Sequence, residues 1–174
     1  MDLGQFFTSA DLIGIAPEII LTITALSILT LEMFRVSRTG IILLVAAIGL
    51  LLAVVTAANI GGDKQFLFGG MLVLSRFSVF FDFLYISIGL VTLIFSQEYL
   101  EKRGSASRGE YPALILFAVI GMMLMSKAND LVIVFLGLEL LSLSLYVLVG
   151  FLRHDRLSNE SGLKYLLLGA FATG

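Results

Sequence analysis

LVIVFLGLELLSLSLYVLVGFL, residues 131–152, decides the fold class. The run holds one charge, Glu139. As a helix rising roughly 1.5 Å per residue it would span about 33 Å, enough to cross a bilayer core of about 30 Å. A carboxylate in that setting costs on the order of 2.5–3.5 kcal/mol on insertion scales. Leucine would insert better, so Glu139 is expected to serve a proton, a cation or a buried basic partner.

The rest of the composition agrees. The 174 residues are 59% hydrophobic and 14% charged, with a mean hydropathy of +1.04. A soluble domain holds about 45–50% apolar and about 25% charged residues. The chain therefore reads as an integral membrane protein. It has no cysteine, which excludes thiolate ligation of an iron–sulfur cluster and any disulfide. A single histidine, His154, makes no metal site alone. The first eleven residues carry Asp2 and Asp11 and no Lys or Arg, the reverse of a secretory n-region.

Six hydrophobic stretches follow one another, and helices are expected at about 12–34, 40–58, 77–97, 112–126, 131–152 and 161–174. The fold class is all-α: a polytopic transmembrane bundle of about six helices in one membrane-embedded domain, residues 1–174. Pro17 suits the first turn of the first helix, and Glu18 sits where the helix dipole favours an anion. Two Gly pairs mark residues 59–70 as a loop with a turn. The short link Lys127, Ala128, Asn129, Asp130 makes the fourth and fifth helices antiparallel neighbours. The sixth stretch reaches only about 21 Å, so the chain reads as the N-terminal piece of something longer.

Basic residues set the orientation. The first, third and fifth connectors hold Arg35, Arg38, Lys102, Arg103, Arg108, Arg153 and Arg156. The opposite side holds Lys64, Arg76 and Lys127. The N-terminus is thus expected on the non-cytoplasmic side. No two glycines inside a span stand four apart, so the GxxxG association motif is absent.

Glu139 shares a helix face with Phe135, Ser142 and Tyr146, and the two polar groups make that face wettable. It reads as a protonatable relay or counter-ion, against the plainer reading of a hydrogen-bonded acid holding two helices. Lys164, four residues after Glu160, reads either as a snorkelling lysine or as an inward relay. Asp82, Glu18 and Glu32 read as interfacial, and His154 as a solvated loop residue. No nucleotide-binding, metal-binding or nucleophile–base motif is present. Catalytic, cofactor and metal residues are expected to be none.

Three segments carry a resemblance: GMMLMSKANDLV (121–132), LGLELLSLSLYVLVGF (136–151) and SNESGLKYLLLGAFATG (158–174). Together with their surroundings, residues 110–174 resemble the subunit N family of bacterial NADH-quinone oxidoreductase, respiratory complex I. The first hundred residues match it only in hydrophobic character. The resemblance implies an antiporter-like subunit of about fourteen helices in the bacterial inner (plasma) membrane. It implies that Glu139 belongs to the proton-translocation path and that Lys164 lies along the same polar axis. NADH, FMN, iron–sulfur clusters and quinone would reside in partner subunits of the membrane-embedded complex, with none in this chain. No nucleic-acid partner is implied. Related antiporter-like subunits, cation/proton antiporters and membrane-bound hydrogenase subunits share the acid on the fifth helix. An antiporter component and a purely structural membrane subunit stay open as alternatives.

Overall fold

Among the described residues, five of the six apolar stretches form helices long and apolar enough to cross a bilayer. The computed structural model describes residues 9–34, 39–61, 63–102 and 109–173. The first stretch is broken. Helix α1 covers Ser9–Gly14 and helix α2 covers Ala16–Met33. Pro17 fits only the first turn of a helix, because it has no N–H and its ring would clash with the preceding turn. The chain therefore restarts at Ile15, whose backbone leaves helical values (φ −107°, ψ 16°).

Helix α3 is Thr39–Asn59 and α4 is Arg76–Lys102. Helix α4 outruns its expected end at residue 97. Its last turn is supported by Lys102 donating to Glu98 at 2.6 Å, four residues apart. Helix α5 is Glu110–Lys127, α6 is Leu131–Val149 and α7 is Arg156–Thr173. Helix α6 stops at Gly150, short of residue 152. Helix α7 begins five residues before the expected 161, because Asp155 accepts the Leu157 N–H at 2.9 Å and nucleates the turn. Helix α6 begins the same way, with Asp130 accepting the Val132 N–H at 2.7 Å.

Helix α5 is the axis of the bundle. Its span is 56% buried against 11% for α6. Helices α2, α4 and α6 all lie on it, and α3 bridges α2 and α4. Leu21, Ile28, Leu50, Ile86, Leu116 and Met123 fill the shared core. Helix α7 lies outermost, packed on α6. The tightest crossing needs no GxxxG motif, because one glycine from each helix suffices. A Cβ on Gly121 would lie 2.7 Å from the Gly137 carbonyl oxygen and 2.8 Å from the Leu141 nitrogen. Small residues of this kind let membrane helices approach backbone to backbone.

Among the described residues, the region of the expected loop at 59–70 adds strands to the all-helical plan. Strands β1 (Gln65–Leu67) and β2 (Leu72–Leu74) form an antiparallel hairpin with Leu67 opposite Leu72. The turn between them runs through positive φ at Phe68, Gly69 and Gly70. Phe68 is held there by donating its N–H to Asp11 Oδ1 at 2.8 Å. Leu67, Leu72 and Leu74 bury their side chains with Ile15 and Ile133 against them. Asn129 donates its N–H to the Met71 carbonyl at 2.9 Å, and Leu72 bridges to Ala128. The hairpin therefore lies across the turn between α5 and α6.

Candidate functional site

Glu139 is the ninth residue of α6, near the middle of its span, and is half-buried. It has no hydrogen-bond or ion-pair partner among the described residues. It lies on the stripe of α6 that carries Ser142, Tyr146 and Gly150. Tyr146 stacks edge-on against Tyr165 at 4.9 Å between ring centres, and its hydroxyl lies against Gly169. Gly150 meets Gly162, where an added Cβ would stand 2.8 Å from the Gly150 Cα. That stripe is thus the seam with α7. Eleven residues back from Gly150 is Glu139, and eleven on from Gly162 is Thr173, so the antiparallel helices put those two at one level.

Lys164 lies off this seam. The residues of α7 that touch α6 are Gly162, Tyr165 and Gly169, one helical stripe. Lys164 is turned from each of them by about 100° or more. Its side chain is exposed and donates to Glu160 at 2.6 Å. No ion pair joins Glu139 to Lys164 among the described residues.

A second polar centre is buried between three helices. Lys127, in the last turn of α5, is 1% exposed. Its Nζ donates to Glu18 Oε1 of α2 and lies 2.8 Å from Asp82 Oδ2 of α4. Asp82 is 1% and Glu18 4% exposed. Both acids read as interfacial in the sequence, and in the structure both side chains are buried between helices close to the starts of α2 and α4. The helix starts explain their placement. Pro17 puts Glu18 in the first turn of α2. Ser75 and Ser78 cap α4 reciprocally: Ser75 N–H donates to Ser78 Oγ at 2.8 Å and Ser78 N–H to Ser75 Oγ at 3.3 Å. This capping-box arrangement fixes the first turn, and Asp82 follows one turn after the fully buried Ser78.

Sequence reading missed this triad, although a signal was available. Antiparallel helices put the starts of the first and third spans and the end of the fourth at one membrane face. Two acids and one base therefore stood at a common depth. In the sequence Lys127 reads as part of the short link with Ala128, Asn129 and Asp130.

Comparison with known proteins places these features in context. Residues 128–174 match the family model described as NADH:quinone oxidoreductase/Mrp antiporter, TM. NADH-quinone oxidoreductase subunit N 1 of Solibacter usitatus is 40% identical over 178 residues, which takes in all of this chain and 36% of that protein. Subunit N of Trichlorobacter lovleyi is 38% identical over 175 residues, again all of this chain and 36% of its own length. Subunit N 1 of Koribacter versatilis is 53% identical over 107 residues, 62% of this chain and 21% of that protein. The similarity thus extends well before residue 110, where sequence character alone had placed its start. The chain spans about a third of the length of the first of these relatives.

Proposed function

On the premise that this chain belongs with NADH-quinone oxidoreductase subunit N, homologous to it along its whole length, we propose that it helps carry protons across the membrane. It does so as part of an NADH:quinone oxidoreductase, with quinone reduction taking place in partner subunits. NADH, FMN, iron–sulfur clusters and quinone are assigned to those partners, which also supply the remaining membrane arm. One observation carries the reading: Glu139 stands half-buried at mid-span without a partner among the described residues, on a stripe shared with Ser142 and Tyr146. An intramembrane acid left unpaired is expensive and marks an ion path. Lys164 is the second relay group in this proposal, reached from the face of α7 turned away from α6.

Glu139→Gln keeps the size and hydrogen-bonding capacity of the side chain and removes its titratable proton. In the assembled complex it is expected to abolish most proton pumping and the electron transfer coupled to it, while Glu139→Asp retains part. Vesicles with a pH-sensitive dye report the result, and full pumping by assembled Glu139→Gln would reduce the residue to a structural role. Lys164→Met should lower pumping too, and the double variant should fall short of the product of the single effects if the groups share one path. The matching family model also covers Mrp antiporters. Cation/proton exchange without any electron donor would move the assignment to that class.

The same proposal orients the chain. With Lys127 withdrawn into the triad, the hairpin end keeps Lys64 and Arg76. The opposite end carries Lys102, Arg153 and Arg156, with Arg35, Arg38, Arg103 and Arg108 outside the described residues. The positive-inside rule then puts the hairpin and the N-terminus on the non-cytoplasmic face of a bacterial inner membrane. A cysteine at Asp63 should react with an impermeant thiol reagent in intact spheroplast-free cells made outer-membrane permeable. A cysteine at Arg156 should be shielded. The reverse pattern overturns the orientation.

A further inference from the structure

Two acids and one base share the centre between α2, α4 and α5, and Asp82 and Lys127 are each 1% exposed. Fully ionised, the group carries a net negative charge in a place with almost no access to water. An uncompensated buried charge costs several kcal/mol, and buried carboxyls escape that cost by binding a proton. Glu18 Oε2 and Asp82 Oδ1 are buried and have no hydrogen-bond partner among the described residues. A carboxylate is acceptor-only, whereas a carboxylic acid brings an O–H donor of its own. We propose that the cluster of Glu18, Lys127 and Asp82 is a proton-holding site, with one exchangeable proton on Asp82 beside the ion pair of Glu18 and Lys127.

The helices select which acid holds it. Glu18 stands in the first turn of α2 and Lys127 in the last turn of α5. Both charges are therefore favoured by the helix dipoles. Asp82 is the seventh residue of α4, past the turn where a dipole acts. The charged and titratable groups that face it are Glu18 from α2, Lys127 from α5 and, one turn along α4, Tyr85. Ser78 is engaged with the Ser75 carbonyl, and Asp11 of α1 holds the hairpin turn through Phe68. The chemistry is a bare proton transfer. An O–H bond forms on the Asp82 carboxyl with a proton from water, and the same bond breaks on release, with no change of oxidation state. Strand β2 of the hairpin touches both α4 and α5, the helices that supply Asp82 and Lys127. The site stands apart from Glu139, so it survives if Glu139 proves structural.

Infrared difference spectroscopy on the complete assembled complex tests the site directly. A carboxylic-acid C=O band that shifts on exchange into D2O is expected in the wild type. It should vanish in Asp82→Asn, where the amide keeps a donor in place and assembly is retained. Glu18→Gln offers a second route: Asp82 then serves Lys127 as its counter-charge, and the band should vanish as well. Absence of the band in the wild type overturns the proposal, as does its persistence in both variants. Its loss on adding sodium at constant pH would identify a cation site instead and overturn it too. Pumping by the Glu139→Gln complex is scored separately, so failure of the relay reading and failure of this site produce different results.

Discussion

Lys127→Met is expected to destabilise the assembled protein by about 3–5 kcal/mol, the usual consequence of leaving a buried charge without its partner. Met matches the volume of lysine, so little of the loss is packing. What changes is that Glu18, 4% exposed, has its one charged partner taken away while Asp82 can no longer lean on the same ammonium. Membrane abundance should drop and thermal unfolding should move to lower temperature. Adding Glu18→Gln to Lys127→Met should recover much of the loss, because buried ion pairs replaced by neutral groups are often no less stable. A double variant as unstable as Lys127→Met alone would mean that lysine acts through its packing.

Gly121→Val is the second large effect. Its Cβ would stand 2.7 Å from the Gly137 oxygen and 2.8 Å from the Leu141 nitrogen. Both are backbone atoms of α6, which no rotamer change can move aside. Helices α5 and α6 must separate, and the whole α6–α7 pair moves with them. Overpacking costs about 1–3 kcal/mol where side chains can adjust, and more where they cannot, so a loss of about 3 kcal/mol or greater is expected. Gly40→Ala is the control, since no described residue lies within 4 Å of that added Cβ. Equal thermal stability of Gly121→Val and Gly40→Ala in the assembled complex would show that the crossing tolerates spreading.

The two variants touch features of unequal legibility. Span number and helical class follow from uninterrupted apolar runs, since lipid leaves backbone polar groups no partner but their own helix. Pro17 signalled a helix start, and the structure uses it to split α1 from α2. Residues 65–74 carried no strand signal beyond two short apolar pieces, and they pair because Asp11 and Asn129 hold the turn from outside the segment. The same limit hid the triad. Hydropathy scores each charge by depth along its own helix, whereas Glu18, Asp82 and Lys127 are made compatible by one another across three helices. Glu139 was visible for the opposite reason: it interrupts a long apolar run and has no neighbour to neutralise it in sequence.

The triad also has a consequence for how the chain is made. Glu18 and Asp82 enter the membrane on the first and third spans, and their base follows forty-five residues after Asp82. At a synthesis rate of about 5–20 residues per second, Asp82 waits on the order of 2–9 s for Lys127, and Glu18, which precedes it by 109 residues, on the order of 5–22 s. During that interval both acids lack their basic partner, which favours keeping the early spans beside the insertion machinery. Ribosome-stalled chains whose fourth span has not emerged should therefore cross-link to the translocon, and chains carrying Lys127 into the bilayer should be released. Equal cross-linking at both lengths would show that the early spans leave unaided. The fourth span then acts as a latch, and the bundle closes only when its own counter-charge arrives.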